Sequence, residues 1–266
     1  MSITIDSAAP GAPVLEVEGL HKSYGAIPVL RDVSMAVADR ETLAIIGPNG
    51  AGKTTLFRTL TGEVFAEKGR ISIFGEDATW LPAEQRVARG VGRTFQVARI
   101  YPETSLLENI VVSLESGRRM AGERVGPWYA FRPTSQIVQE AEHWLADVGL
   151  VNRRYSEARF LSHGDKKRLE MAIALALRPR ILMMDEPTAG MSPSDRLRTV
   201  DLIVEMREKH KMTVLLTEHD MDVVFGLSNR IMVLNYGQIV AIGTGEQIRA
   251  NPAVRDVYLG HEVQYA

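Results

Sequence analysis

Residues 47–54 read Gly-Pro-Asn-Gly-Ala-Gly-Lys-Thr, and this segment is the strongest indication of the fold class in the chain. It matches the pattern G-x-x-x-x-G-K-[ST], whose glycines let the backbone curl until successive N–H groups face one anion. The apolar run Leu43–Ile46 precedes it, and a stretch with helical spacing, Lys53–Leu60, follows it. A strand that leads through a glycine loop into a helix N-terminus is an arrangement that binds phosphate. The stretch therefore predicts a nucleoside triphosphate site, in which Lys53 reaches the outer phosphates and the Thr54 hydroxyl holds Mg²⁺.

Strands and helices alternate on both sides of this loop, which indicates a mostly parallel α/β sheet with helices on both faces. Before the loop, Val14–Leu20 and Val29–Val37 alternate apolar and polar residues, as half-buried strands do. Residues from about 98 to 178 show helical spacing instead, so we expect a helical lobe inserted between two strands of the sheet. The remaining expected elements are strands at Arg70–Phe74, Val91–Phe95, Ile181–Met184 and Met212–Leu216, helices around Leu106–Leu114 and Ile137–Val148 and at Lys166–Leu177, Pro193–Lys209 and Asp220–Leu227, a closing hairpin of Ile231–Leu234 and Ile239–Ile242, and a loop over Gly117–Pro133.

The composition is that of an ordinary globular chain. Of 266 residues, 45% are hydrophobic and 24% are charged, and the net charge of -2 gives no general attraction to nucleic acid or anionic lipid. The chain has no cysteine, which excludes disulfides, thiolate nucleophiles and Cys-ligated metal sites. Its apolar stretches fall far short of the roughly 20 residues that a membrane-spanning helix needs, and the N-terminus does not read as a signal peptide. We expect flexible tails at 1–13 and 261–266, a single domain at 14–260, and any membrane role to come through a partner.

Two acidic residues and a histidine follow later strands. The apolar run Ile181–Met184 ends in Asp185 and Glu186, at the strand edge where ligands bind in open α/β sheets. Asp185 is placed to hold Mg²⁺, whereas Glu186 points elsewhere and is placed to activate an attacking water as a general base. His219 follows the strand Met212–Leu216, where a neutral imidazole can hydrogen-bond the γ-phosphate and orient that water. The pattern therefore indicates hydrolysis of the bound triphosphate.

A second candidate anion site opens the helix that begins in the stretch Leu161-Ser-His-Gly-Asp. Ser162 is a good N-cap, and Asp165 three residues later completes a capping-box pattern. Gly164 leaves backbone N–H groups approachable at this helix N-terminus, and the Ser162 hydroxyl adds a further donor. Because this site lies on the inserted lobe, one chain cannot easily bring it onto its own phosphate loop. Two chains arranged head to tail can, so the sequence predicts a composite site shared by two subunits.

In order and spacing, these motifs resemble the ATP-binding cassette family over essentially the whole chain after about residue 13. The resemblance implies a P-loop NTPase core with an inserted helical lobe and an N-terminal antiparallel β subdomain. It also implies that residues 161–165 are the signature motif, which completes the site of the opposite subunit. It further implies that Tyr24 stacks on adenine and that Gln96 senses Mg²⁺ and γ-phosphate. Catalysis is assigned to Glu186 and His219. The residues expected to bind ATP are Tyr24, Gly47, Asn49, Gly50, Gly52, Lys53, Thr54, Thr55, Gln96, Ser162 and Gly164, and those expected to hold Mg²⁺ are Thr54, Gln96 and Asp185.

Two motifs depart from the family pattern. The signature usually reads Leu-Ser-Gly-Gly-Gln, whereas His163 and Asp165 stand here in place of its third residue and its glutamine. The groups that touch phosphate in the family, Ser162 and Gly164, are kept. The loop after Glu186 often reads Ser-Ala-Leu-Asp, whereas residues 189–192 read Ala-Gly-Met-Ser. The aspartate that makes a cross-subunit contact in the family is therefore absent.

Further stretches are similar to the ATP-binding proteins of branched-chain amino acid importers, namely residues 92–96, 99–102, 107–109, 218–221 and 251–260. The related urea importers share the Leu-Ser-His-Gly form of the signature. The resemblance implies an ATPase subunit, using ATP and Mg²⁺, that energises an importer of branched-chain amino acids or related small polar solutes. As partners it implies permease subunits, a second ATPase subunit that is a paralogue or another copy, and indirectly a periplasmic solute-binding protein. The implied location is peripheral, at the cytoplasmic face of the inner membrane.

Three other functions remain open. The ATPase of a lipid or lipopolysaccharide exporter has a similar tail, although the Arg-Thr-Phe-Gln stretch at 93–96 and the lobe insert favour the importer. A soluble cassette ATPase of DNA repair or translation would resemble two fused cassettes or a cassette split by a coiled coil, whereas this chain has one motif set and no sustained heptads. We therefore expect no nucleic-acid partner. A P-loop kinase or GTPase would leave Gln96, Ser162 and His219 unexplained.

One segment is a candidate contact with the permease. In the resembled family a short cytoplasmic helix of the permease docks in a groove, which would here be lined by Gln96 and Val97–Glu103. Aromatic residues and arginine are enriched in interface cores, and this segment offers Arg99, Ile100 and Tyr101. The alternative is that Ile100 and Tyr101 cover the lobe's own core.

Overall fold

The computed structural model describes residues 12–94, 99–123 and 133–262, with side chains to residue 257. The chain forms two compact units: one combines the chain up to Arg86 with the chain from Met212 onward, and the other is the segment Val87–Lys211. The second unit is thus an insertion in the sequence of the first. It contains the expected lobe at 98–178 and extends beyond it at both ends; the division into a single domain and two tails stays a prediction.

The first unit contains an antiparallel sheet and a mainly parallel one. The antiparallel sheet has the order β2-β1-β4-β5, and in the second sheet β3 lies parallel to both β8 and β9, while β9 and β10 form an antiparallel hairpin. This mixed α/β architecture confirms the fold class expected from the sequence. The elements of the unit are β1 (Leu15–Tyr24), β2 (Ile27–Val37), β3 (Thr42–Ile46), α1 (Lys53–Leu60), β4 (Lys68–Ile73), β5 (Glu76–Asp77), α2 (Ala83–Ala88, which runs across the boundary), β8 (Thr213–Thr217), α7 (Met221–Leu227), β9 (Arg230–Asn235), β10 (Gln238–Gly243), α8 (Gly245–Ala250) and α9 (Pro252–Glu262).

Strand burial follows the sequence patterns. All five residues of β3 are buried, as expected for a central parallel strand that is covered on both faces. In β1 the alternation places Leu15 and Val17 inside, and Leu20 is buried as well after a register shift that follows Val17. Each buried aliphatic side chain of this kind stabilises the fold by about 1.5–3 kcal/mol. This core fixes the strand ends from which the phosphate loop emerges.

Arg86 is a buried cation that joins the end of helix α1 to the loop between β5 and α2. Its guanidinium is fully buried and donates to the carbonyl oxygens of Thr59, Leu60, Thr79 and Leu81 at 2.7–3.2 Å. Burial lowers the pKa of Arg86 to about 10, so the group still carries its charge at neutral pH. Because the C-terminal carbonyls of a helix lack intrahelical partners and carry partial negative charge, Arg86 stabilises the end of α1.

The second unit consists mainly of helices with one short parallel strand pair. Strands β6 and β7 pair in parallel, and Arg93 lies opposite Met183. The helices begin at serine or threonine N-caps, which accept hydrogen bonds from the first turn, at Ser105, Thr134, Ser162 and Ser192. The elements are β6 (Val91–Arg93), α3 (Leu106–Met120), α4 (Ser135–Asp147), two 3₁₀ turns (Val151–Arg153 and Ala158–Phe160), α5 (His163–Ala176), β7 (Ile181–Asp185) and α6 (Pro193–His210).

Several expected boundaries need correction. The expected loop over Gly117–Pro133 is wrong at its start, because α3 continues to Met120. A β-carbon at Gly117 would lie 3.0 Å from Leu177 Cδ2, so this glycine serves close packing and does not end the helix. Helix α5 begins three residues earlier than expected, and Glu262 of the expected tail belongs to α9. The sequence patterns did not reveal β5, α2, α8 or α9.

Candidate functional site

The glycine loop between β3 and α1 has a backbone that only glycine permits at two points. Gly47 and Gly52 have φ values of 152° and 106°. A β-carbon at Gly47 would lie 2.0 Å from the carbonyl oxygen of Leu234, and one at Gly52 would lie 2.9 Å from that of Val29. The loop is thus pressed against neighbouring backbone, and any side chain at these points would displace it.

Lys53 lies inside this loop. Its side chain is buried, and its Nζ donates to the carbonyl oxygens of Gly47 at 2.7 Å and Pro48 at 3.1 Å. The loop therefore encloses the ammonium group, as required of a cation that neutralises phosphate. Thr54 is exposed and Thr55 half-buried on the first turn of α1, while Asn49 and Gly50 lie exposed at the loop's rim.

Helix α1 begins differently from the later helices. Its N-cap residue, Gly52, has a left-handed backbone conformation and provides no side-chain hydrogen bond, and the first turn carries no acidic residue. Helices α3 to α8, by contrast, each begin at a Ser, Thr or Asp whose side chain accepts from the first turn. The first N–H groups of a helix have no intrahelical partner and sit at its positive dipole end. At α1 these groups suit an anionic ligand.

The turn between β9 and β10 joins this loop to strand β2. The N–H of Gly237 donates to the Ala51 carbonyl at 2.9 Å, and the Gly237 carbonyl accepts from the N–H of Arg31 at 2.8 Å. Strand β2 pairs with β1, whose last residue, Tyr24, lies opposite Ile27 and is 44% exposed. An exposed aromatic ring fixed to the same unit as the phosphate loop is suited to stack on a nucleobase.

His219 emerges at the same sheet edge as the phosphate loop. Strands β3 and β8 are parallel, with Ile45 opposite Thr217, and each ends just before its functional segment. His219 is exposed, and its backbone N–H donates to Glu218 Oε2 at 3.1 Å. Glu218 is buried, at 3% exposure. Sequence reasoning gave Glu218 no role, although an acidic residue next to His219 at a strand end was a visible signal.

Asp185 lies at the end of β7 in the second unit and contacts a cation that sequence reasoning passed over. Arg93 Nη2 is 3.3 Å from Asp185 Oδ2, and both side chains are about nine-tenths buried. Arg93 lies in β6, whose next residue, Thr94, donates its N–H to the Met183 carbonyl at 2.9 Å. The presence of an arginine in a short strand that leads to Gln96 could have suggested this contact. Gln96 itself lies outside the described residues.

Glu186 adopts an uncommon backbone conformation. Its φ of 47° is left-handed, which costs a non-glycine residue roughly 1–2 kcal/mol. Its carbonyl accepts the N–H of Ala189 at 3.1 Å, so the chain turns directly after β7. Backbone strain of this kind persists where surrounding contacts enforce it and is common at active sites.

The signature stretch is a capped helix start, but it is not the full capping box expected. Ser162 Oγ accepts the N–H of Asp165 at 3.1 Å. The Asp165 carboxylate instead contacts Arg153 at 3.1 Å and Arg168 at 3.8 Å, because these guanidinium groups are its charged neighbours. Ser162 is exposed and Gly164 half-exposed, so both face the surface of the second unit.

The candidate residues divide between the two units. Tyr24, the phosphate loop and His219 belong to the first, while Ser162, Gly164, Asp185 and Glu186 belong to the second. Among the described residues, no group of three or more His, Asp or Glu side chains could hold a metal ion by itself. In the same described ranges, no helix has the length and apolar character needed to cross a membrane.

The segment proposed to meet a permease is anchored by a residue that sequence reasoning did not select. Asn109, on α3, is 1% exposed; its Oδ1 accepts the N–H of Tyr101 at 2.8 Å, and its Nδ2 lies 3.0 Å from the Tyr101 carbonyl. The Tyr101 side chain is 58% exposed, which contradicts the reading in which it covers the lobe's own core, and Ile100 is half-buried. Residues 96–98 of the segment lie outside the described ranges.

Comparisons with known protein families agree with these motifs. Residues 30–189 match the family model for the ABC transporter, and residues 238–264 match that for the branched-chain amino acid ATP-binding cassette transporter. The chain is 40% identical over 252 residues to the high-affinity branched-chain amino acid transport ATP-binding protein LivG of Salmonella typhimurium, covering 93% of this chain and 98% of LivG. It is 32% identical over 249 residues to the lipopolysaccharide export system ATP-binding protein LptB of Haemophilus influenzae, covering 94% and 98%.

A solved structure has the same fold. The crystal structure of the ADP conformation of an ATP-binding cassette of an ABC transporter superposes with a TM-score of 0.82 at 28% identity. The alignment covers 94% of this chain and all of the other.

Proposed function

Because this chain belongs to the ATP-binding cassette transporter family, we propose that it is the ATP-hydrolysing subunit of an importer for branched-chain amino acids or related small polar solutes. The observation that supports ATP as substrate is the phosphate loop, in which Lys53 is enclosed and α1 starts without a side-chain cap. The match of residues 238–264 to the branched-chain amino acid family supports the transported class.

ATP binding is assigned to three groups of the first unit. The N–H groups at the start of α1 receive the phosphates, and Lys53 neutralises their charge. Tyr24 stacks on the base, and the turn at Gly237 keeps the strand pair that carries Tyr24 in register with the phosphate loop. Asn49, Gly50, Gly52, Thr54 and Thr55 complete the assigned phosphate contacts.

We assign the Mg²⁺ that accompanies ATP to Thr54, Asp185 and Gln96. Hydroxyl, carboxylate and amide oxygens are the donors this ion prefers, and Mg²⁺ usually binds through one or two carboxylates together with substrate phosphates. A site with one carboxylate fits the lack of a self-sufficient acidic cluster among the described residues. The ion would neutralise charge on the phosphate oxygens.

Hydrolysis is assigned to Glu186 and His219. The Glu186 carboxylate accepts a proton from the attacking water, and the His219 imidazole hydrogen-bonds the γ-phosphate and orients that water. Ser162 and Gly164 serve the nucleotide of a second ATPase subunit, which is a paralogue or another copy of this chain. Each composite site then needs both subunits.

Coupling to transport is assigned to the segment Gln96–Glu103. Tyr101 is exposed while its backbone is fixed by Asn109, which is the combination an interface anchor needs. The partner is a permease subunit, and a periplasmic solute-binding protein acts through that permease. The chain then lies peripherally at the cytoplasmic face of the inner membrane and contacts no nucleic acid.

A transport assay in a strain that lacks the chain tests this function. Expression of the wild-type chain should restore uptake of labelled leucine, isoleucine or valine, and a tagged chain should copurify with permease subunits from membranes. Lys53→Ala serves as the control, since it should leave uptake at the level of the deletion strain. Normal amino acid uptake in the deletion strain, together with a defect in lipopolysaccharide export, would favour the exporter reading suggested by the similarity to LptB.

A further inference from the structure

The structure brings the two departures from the family pattern into contact. His163, in the signature stretch, has its Nε2 3.1 Å from the carbonyl oxygen of Ala189, in the loop after Glu186. We propose that His163 is a positioning residue, which links the signature of this chain to the backbone turn that carries its own Glu186. The inference rests on the proposed function, because it gives Glu186 its importance.

The contact has a defined polarity. A carbonyl oxygen can only accept, so Nε2 carries the proton and the imidazole donates. The neutral tautomer protonated at Nε2 and the imidazolium both provide this donor.

Ala189 passes the contact on to Glu186. Its carbonyl accepts from His163, while its N–H donates to the Glu186 carbonyl at 3.1 Å. Two hydrogen bonds thus run from the signature to the residue assigned as the general base. Glu186 has a φ of 47°, a conformation that a non-glycine residue keeps only when its surroundings enforce it. His163 is one of those surroundings.

The loop after Glu186 lies against the imidazole. Gly190 has a φ of 73°, which favours glycine, and a β-carbon there would lie 3.5 Å from His163 Nε2. That distance is an ordinary van der Waals contact, so the backbone conformation, and not the space beside the ring, is what favours glycine at this position. The far end of the loop is held by the burial of Met191, whose Sδ lies 3.3 Å from the Thr199 hydroxyl, a group that also lies 2.9 Å from the Asp195 carbonyl oxygen. Movement of the signature is therefore transmitted to the near end of the loop, next to Glu186.

The consequence is a coupling between two ATP sites. Ser162 and Gly164 are assigned to the nucleotide of the opposite subunit, whereas Glu186 acts on the nucleotide of its own chain. His163 joins the two, so that capture of one nucleotide by the signature stabilises the base that serves the other. We therefore expect the rate of ATP hydrolysis to depend on both sites being filled.

The first test needs neither nucleotide nor partner. His163→Phe keeps a ring but loses the donor, and His163→Gln keeps an N–H donor at similar reach. In the isolated full chain, amide hydrogen exchange at Ala189 should become roughly 3- to 10-fold faster in His163→Phe, the value expected for one lost hydrogen bond, and stay near wild type in His163→Gln. Exchange at Arg196, whose N–H donates to the carbonyl of Ser192, the N-cap residue of α6, is the internal control and should not change. Unchanged exchange at Ala189 in His163→Phe, or equal acceleration in both variants, would overturn the link.

The second test measures hydrolysis in the assembled transporter. His163→Phe should lower kcat by a similar factor, leave the KM for ATP unchanged and reduce the cooperativity of the ATP dependence, and His163→Gln should restore all three. An unchanged kcat despite faster exchange would overturn the positioning role. The inference rests only on ATP hydrolysis by this chain. Failure of that part of the proposed function is distinguishable, because the wild-type transporter would then hydrolyse no ATP while the exchange result would stand.

Discussion

Replacement of Asn109 by leucine should release the segment that we assign to the permease. The Asn109 side chain bonds to the Tyr101 N–H and carbonyl, to Thr104 Oγ1 at 2.9 Å and to the Ser105 carbonyl at 2.9 Å. Its amide has two protons for three acceptors, so the side chain makes at most three full hydrogen bonds at once. Leucine preserves the approximate volume and removes all of them.

The size of the destabilisation can be worked out from these hydrogen bonds. At about 0.5–1.5 kcal/mol for each hydrogen bond, three give a loss of about 2–4 kcal/mol in the free energy of unfolding. Ser113→Ala is the matched control, because Ser113 is also buried on α3 and makes a single bond, to the Ile173 carbonyl at 2.9 Å. That control should lose only about 1 kcal/mol.

Urea unfolding of the isolated chain measures the loss of stability in both variants. The functional effect is measured with the reconstituted transporter. Asn109→Leu should bind ATP normally but assemble poorly with the permease or hydrolyse ATP without transport, whereas Ser113→Ala should remain coupled. If Asn109→Leu costs no more stability than Ser113→Ala, the side chain does not anchor the segment. Full coupling in a clearly destabilised Asn109→Leu variant would refute the assignment of the segment to the permease.

Three further predictions concern binding, docking and assembly. Lys53→Ala should raise the Kd for an ATP analogue by at least about tenfold, because hydrogen bonds to charged groups contribute about 1.5–3 kcal/mol. Tyr24→Ala should raise this Kd more mildly, since ring stacking contributes about 1 kcal/mol. Both values are measured by titration with the analogue, and an unchanged Kd would mean that the substituted residue does not belong to the site. Tyr101→Ala should uncouple transport or prevent assembly while the Tm stays near wild type; a large fall in Tm with normal permease binding would mean that the ring belongs to the core. The isolated chain should be a poor ATPase whose activity per molecule rises with protein concentration, and a concentration-independent rate from a proven monomer would contradict the shared site.

Local motifs made much of the fold predictable. The strand, glycine loop and helix around residues 43–60 could be predicted because the loop pattern fixes both neighbours, and α1 has the expected bounds Lys53–Leu60. The central parallel strands were visible as apolar runs that end in polar residues. Short elements such as α2 and α8 were not visible, because six residues contain too few turns to show a helical period.

Contacts between distant residues could not be predicted in the same way. The sequence predicts a role for Asp185 but not its contact with Arg93, which lies 92 positions away in the chain. It marks His163 only as a departure from a pattern, whereas the structure provides its partner, Ala189. The sequence predicts a loop that starts at Gly117, because a glycine by itself does not distinguish a chain reversal from close packing, here against Leu177. Such features depend on how helices and strands meet in three dimensions.

The most direct test of an ATPase that drives import is the Glu186→Gln variant in transporter reconstituted into vesicles with ATP on the side of this chain. Glutamine keeps the shape of the side chain and removes its basicity, so ATP should still bind and the dimer should accumulate. The rate of ATP hydrolysis should fall by about 10²–10⁴-fold, as for loss of a general base, and uptake of labelled leucine should fall with it. If both hydrolysis and uptake remain within a few-fold of wild type, Glu186 is not the base and the assigned mechanism is wrong.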